Sequence, residues 1–152
     1  MITELDSLLY QAEAEYLEQK ELDNFKSQIF ALEKRLQLYE IISSKEADLF
    51  QYVASQLSTS YPDEPEAKIK RALKHWLITM RYCGMSMLFD NPKYLEHRVL
   101  EWLPEQIAAH QLKDIEQSLF AVLQKRLKKI LSSEQFSLIQ PYLEQAQGAL
   151  LS

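Results

Sequence analysis

The sequence predicts an all-α fold: a single domain of about seven helices with an N-terminal helical extension. Three observations lead there. Glycine and proline, which punctuate strands and turns, number only 2 and 5 in 152 residues. Apolar residues recur at spacings of three and four along most of the chain, the period of a helix face. No stretch alternates apolar and polar residues as a half-buried strand would. The length suits one domain and buries roughly 68–70% of the unfolded chain's surface.

The elements follow in order. Residues 3–16 form an amphipathic helix with Ile2, Leu5, Leu8, Leu9 and Ala12 on one stripe, followed by Tyr16 and Leu17. Residues 1–18 are therefore an extension and 19–152 the body. Between 19 and 42, Leu22, Phe25, Ile29, Leu32, Leu36 and Tyr39 recur at spacings of 3, 4, 3, 4 and 3, one helical face. Ser43 with Glu46 reads as a capping box that opens a separate helix carrying Leu49, Val53 and Leu57. Residues 58–65 are the main loop, and Asp63 with Glu66 suggests another box. The next helix is long, with Ile69, Leu73, Trp76, Met80, Cys83 and Met87 on its stripe, and stops near Asp90-Asn91-Pro92. One or two short helices occupy 93–109, broken at Pro104. Leu112, Ile115, Leu119, Val122 or Leu123, Leu127 and Ile130 mark another helix. Ser132 with Gln135 caps the last one, which Pro141 must bend or restart.

Composition excludes several functions. Net charge is −5, from 17 Lys+Arg against 22 Asp+Glu, too acidic for general nucleic-acid binding. Two glycines, Gly84 and Gly148, cannot build a Gly-rich phosphate loop. One cysteine, Cys83, rules out an internal disulfide and a multi-cysteine zinc site. On the apolar stripe, it reads as a buried, inert thiol. His75, His97 and His110 have no metal-binding spacing. A lone helical histidine could ligate haem, but a surface or satisfied interior histidine is the default. The carboxylates fall on solvated faces, and no isolated pair suggests acid–base catalysis. The first residues carry acids where a signal peptide carries bases, and no apolar run approaches the ~20 residues of a membrane span. Lys125, Arg126, Lys128 and Lys129 form a basic cluster. A solvated face is its default reading; a phosphate, anionic lipid or acidic partner is the alternative.

Several strings resemble one family. EYLEQKELDNFKSQIFALEKRL (15–36) is similar to the pattern YL…EL..LK.F…GE.RL of the phycobiliproteins, the globin-like antenna subunits of phycobilisomes. IKRALKHWLITMRYC (69–83) resembles their CARDLxYYLRxxTYx, FDNPKYLEHRVLEWL (89–103) their GDPxxLDERVLxGL, and ALLS their usual end. The strings are collinear and cover nearly the whole chain. The resemblance implies a globin-like body whose N-terminal helices reach out to a second subunit.

It also implies where this chain departs from the family. Ile69 stands where the family's cysteine attaches the bilin, and Ala72 where an aspartate binds the pyrrole nitrogens. Arg71, the bilin-propionate partner, is retained as a possible vestigial or non-covalent contact. The family's two tyrosines are His75 and Trp76, and Ile78 replaces an arginine that pairs with the neighbouring subunit. Covalent bilin is therefore not expected, although a non-covalent tetrapyrrole remains possible; no metal is expected. The expected role is a non-enzymatic protein-binding factor of the cyanobacterial or plastid photosynthetic apparatus. It would act in assembly, maintenance or regulation of phycobilisomes or photosystems, in the cytoplasm or at the stromal or cytoplasmic face of the thylakoid. The partner is a phycobilisome or photosystem component or a second copy in a homodimer, met through Leu5, Leu8, Leu9, Ala12, Tyr16 and Ile78. The alternatives are a non-covalent bilin or tetrapyrrole carrier and a globin-like sensor domain binding haem or a fatty acid.

Overall fold

A computed structural model describes residues 2–14 and 19–152 and, in the first helix, the side chains of 3–11. Seven α-helices and one π-helical turn make up the described residues. They are α1 (Ile2–Ala14), α2 (Gln19–Ser60), α3 (Glu66–Phe89), α4 (Pro92–Leu95), α5 (Leu103–Ala109), α6 (Lys113–Ile130) and α7 (Ser133–Leu150), with the π turn Glu96–Leu100 between α4 and α5. No strand occurs among them. The all-α expectation and most boundaries therefore hold.

The longest departure is α2. One helix of 42 residues replaces the two expected, and at 1.5 Å per residue it is about 63 Å long. Ser43 and Ser44 sit inside it rather than at a cap. The Ser44 hydroxyl donates to the Ile41 carbonyl (2.9 Å), which satisfies it without breaking the helix. Glu46 reaches across to α3 instead, where Arg81 donates from Nε and Nη2 to its two oxygens (2.7 and 3.1 Å). The stripe read between 22 and 39 is also not core. Leu22, Ile29 and Leu36 are exposed, and Phe25, Leu32 and Tyr39 half-buried. The core face of α2 begins at Arg35 and Leu38 and continues through Ile42, Leu49, Phe50, Val53 and Leu57. α2 and α3 run antiparallel, with Glu46 beside Arg81 and Tyr39 beside Gly84. The first four turns of α2 thus extend past the end of α3, where α1 lies against them.

The second expected box is absent too. α3 starts after Pro65 with no side-chain cap, while Glu66 pairs with Lys70 (3.4 Å) and Glu64 with Lys68 (3.6 Å). α3 ends at Asp90, whose left-handed φ of 53° returns its N–H to the Ser86 and Met87 carbonyls. Asn91 then caps α4, its side chain accepting from Lys93 N at 3.1 Å. Pro104 lies in the first turn of α5 and starts that helix rather than breaking one. On α6 the buried stripe runs through Leu112, Ile115, Leu119, Leu123 and Leu127, so Leu123 and not Val122 faces inward. The Ser132–Gln135 box forms in both directions, at 3.1 and 3.0 Å. α7 passes through Pro141 without restarting. The apolar side chains of α2–α7 meet in one core around α3, with Trp76, Met80, Met87, Leu38, Leu57, Leu119 and Ile139 fully enclosed.

Gly84 lies inside α3, and a Cβ built there would meet the Tyr39 ring at 3.6 Å, ordinary contact. Gly84→Ala should therefore stabilise the fold by about 0.5–1 kcal/mol in urea denaturation, through helix propensity. A loss of stability would mean that Tyr39 cannot accept the methyl group.

Candidate functional site

The first half of α3 carries the residues singled out by the sequence. Successive turns place Ile69, Ala72, His75, Trp76 and Thr79 inward, while Arg71 emerges into solvent. Ile69 is buried and carries no nucleophile, and Ala72 and Trp76 are fully enclosed. Trp76 packs on Phe120 of α6 with ring centroids 5.1 Å apart. Arg71 is exposed, and its Nη1 donates to Nδ1 of His110 at 2.7 Å. The cationic fork is thus anchored at the α5–α6 turn, next to Gln111 with its left-handed φ of 55°.

Beneath Arg71 lies a polar pair that the sequence did not single out. His75 Nδ1–H donates to Oε1 of Glu116 on α6 at 2.6 Å. Glu116 is fully buried and His75 almost so. The Thr79 hydroxyl donates to the His75 carbonyl at 2.7 Å. The second oxygen of Glu116 and the indole nitrogen of Trp76 have no partner of regular geometry. The Trp76 N–H nevertheless acts on the carboxylate as a weaker donor. Desolvation raises the Glu116 carboxyl above its ordinary 4.5, and the His75 and Trp76 donors pull it partly back. The missed signal was that Glu116 falls one residue after Ile115 on the inward arc of α6, where a carboxylate needs an internal partner.

Cys83 is fully buried, its thiol donates weakly to the Tyr142 carbonyl (3.6 Å), and burial pushes its pKa far up. It has none of the exposure that a reactive thiol needs. No group of His, Cys, Asp and Glu among the described residues could hold a metal ion. No helix among them is long and apolar enough to cross a membrane.

The remaining candidates lie elsewhere. Leu5 and Leu8 of α1 are buried within the chain, and Leu9 and Tyr10 are exposed. Ala12's side chain and the whole of Tyr16 lie outside the described residues. Ile78 is half-buried and packs against the core. The structure therefore does not gather Arg71, Ile78 and the α1 residues into one site. It separates an enclosed α3 face from an open N-terminal hairpin of α1 and the first half of α2. Of seven large apolar residues exposed among the described residues, six lie on that hairpin: Leu9, Tyr10, Leu22, Ile29, Phe30 and Leu36. Monomer surfaces rarely collect apolar side chains in one place without a partner.

An enclosed helical body with an outreaching helical hairpin is the architecture the sequence strings implied. The family model described as Phycobilisome protein matches residues 8–150, nearly the whole chain. The chain belongs to that family, and it is a phycobiliprotein-like protein with an all-α, globin-like fold. No curated protein matches it.

Glu116 has a pH consequence. A carboxyl whose pKa is raised by folding lends stability below its unfolded value and loses it as pH rises through the folded one. Stability of the native chain should fall from pH 4.5 upward relative to Glu116→Gln, which keeps an acceptor for His75 but does not titrate. Urea midpoints of both proteins across pH 4.5–8 check this; parallel curves would contradict it.

Proposed function

We propose that the chain is a non-enzymatic, protein-binding member of its family, serving assembly, maintenance or regulation of the phycobilisome or a photosystem. It docks through the N-terminal hairpin and works at the cytoplasmic or stromal face of the thylakoid. The observation that carries this reading is the concentration of exposed apolar side chains there, headed by Tyr10 at 73% and Phe30 at 58% exposure. Burying that stripe against a second copy in an isologous contact is the simplest occupant. Because Leu5 and Leu8 are buried within the chain, deleting α1 would uncover more of α2 and confuse the readout. Point substitutions are cleaner. In light scattering the intact chain should be a dimer and Phe30→Glu/Leu36→Glu a monomer of unchanged helicity. A monomeric intact chain at high concentration would sink self-association.

The same reading holds that no bilin is attached covalently. Ile69 offers no nucleophile to a bilin vinyl group, and the position matching the pyrrole-binding aspartate is the enclosed Ala72. The residues around Ile69 do not fit the family's pigment. Co-expression with bilin and a lyase should give no zinc-enhanced fluorescent band on a denaturing gel. Such a band would overturn the reading, since buried Cys83 would then have reacted.

A non-covalent tetrapyrrole carrier is the second reading. One observation favours it: Arg71 presents an exposed guanidinium beside His110 that would suit a propionate. The close packing of Ile69, Ala72 and Trp76 opposes it. Visible absorption bands in protein from the native host would support the carrier, and a colourless protein the docking factor.

A further inference from the structure

We propose that the C-terminal half of α6, with the adjoining middle of α2, is a second docking face, and that its occupant is an acidic segment of a partner protein. The face is built from Lys45 on α2 and Lys125, Arg126 and Lys129 on α6, with Lys128 on the flank of α6 that turns to Phe136 of α7. Lys125 and Lys129 stand one turn apart, and both are exposed. Arg126 and Ile130, also one turn apart, line a cavity of about 210 Å³ with Lys45, Asp48 and Leu49. Two of the cations are set in place by aromatic rings. The Arg126 guanidinium lies 4.3 Å over the Tyr52 ring and Lys128 Nζ 5.4 Å from the centre of Phe136.

None of these cations forms an ion pair among the described residues. The ion pairs among the described residues include Lys34–Glu134, Lys68–Glu64, Lys70–Glu66, His75–Glu116, Arg81–Glu46 and His97–Glu101. None includes a member of the cluster, although the chain carries 22 carboxylates against 17 Lys+Arg. Asp48 lines the cavity and offsets one charge, so the face keeps a positive excess on a chain of net charge −5. Helix stability explains only part of the arrangement. Lys128 and Lys129 lie in the last turn of α6, where cations stabilise the negative end of the helix dipole, but Lys125, Arg126 and Lys45 do not.

The surroundings of the cations favour a protein carboxylate over a lipid surface. A guanidinium seated over a ring keeps its N–H donors for an anion, a carboxylate among them. Adhesion to a membrane gains from apolar residues that insert beside the basic ones. Among the described residues, the exposed large apolar side chains lie on the hairpin and at Trp102, none on α6. This face does not depend on the hairpin reading, and the two surfaces can be tested separately.

The test uses the full-length chain, labelled for amide NMR, with an octaglutamate peptide as the acidic probe. Shifts should cluster at residues 45–52 and 122–130, and affinity should fall with added salt. Lys125→Glu/Lys129→Glu should weaken binding by about tenfold or more, because two attractive charges become repulsive. Arg126→Lys keeps the charge but removes the guanidinium, and should weaken binding by about threefold or more at unchanged helicity. Shifts scattered over the surface, or unchanged affinity in the double variant, would overturn the proposal. So would phosphatidylglycerol vesicles binding this face more tightly than the peptide, which would assign it to a membrane.

Discussion

The whole architecture depends on burying α3 from several sides at once. α2, α6 and α7 all pack on it, and ten of its 24 residues are buried. The inward face of a helix packed in this way must be apolar or internally satisfied. That accounts for Ile69, Ala72, Trp76, Met80, Cys83 and Met87 facing into one core. It accounts as well for the local solutions at the polar positions: His75 bonded to Glu116, Thr79 to the carbonyl one turn back, the Cys83 thiol to Tyr142. Gly84 belongs to the same constraint, as the place where the Tyr39 ring of α2 comes against the α3 backbone.

Enclosure of α3 also limits what the interior can do. A pigment or substrate lying along this helix would need a cleft and a ring of convergent polar groups. The inward face offers instead the stacked pair Trp76–Phe120 and a carboxylate already bonded to a histidine. Glu116 illustrates the energetics. Desolvating a carboxylate is costly, and a single strong donor with one weaker one offsets only part of that cost, so its pKa remains raised. Such a pair holds α3 and α6 in one register, because a slip of either helix would leave a buried charge alone. It resembles a structural clamp more than a catalytic dyad, since no substrate can approach the free oxygen from solvent.

Much of this was legible in the sequence, and the failures have physical causes. The stripes of α3 and α6 were readable because both helices are buried along their length, so every apolar position has the same reason to exist. The Ser132–Gln135 box was readable because nothing else competes for those side chains. The Ser43–Glu46 box had the same letters and failed, since Glu46 is better placed to bind Arg81 and the α2 core stripe runs on past it. Local capping rules carry no information about a partner 35 residues away. The stripe at 22–39 was a genuine helix face but the wrong surface: its period is helical, yet period alone does not say whether a face meets the chain's own core or something else. Glu116 was hidden for a related reason, as one acid among 22, recognisable only once α6 is laid against α3.

That ambiguity of the 22–39 stripe leads to the function. A helix 42 residues long needs only its second half to build the body, so the first half is extra length with an apolar face. α1 packs on α2 with Leu5 and Leu8 buried, and adds Leu9 and Tyr10 to what is exposed. The hairpin thus does not hide all of its own stripe, and apolar side chains of both its helices stay exposed. At the other half of α2, Lys45 and Tyr52 contribute to a face whose character is cationic. One helix therefore carries an apolar surface at one end and a charged one towards the other, about 22 Å apart for residues 30 and 45 at 1.5 Å per residue. The two surfaces differ in kind, since apolar burial grows with area and charge attraction weakens with salt, so each suits a different partner surface. With the interior closed around α3, the surfaces left exposed for a partner lie along the long second helix: the apolar side chains of its first half and the cations at its middle, beside α6.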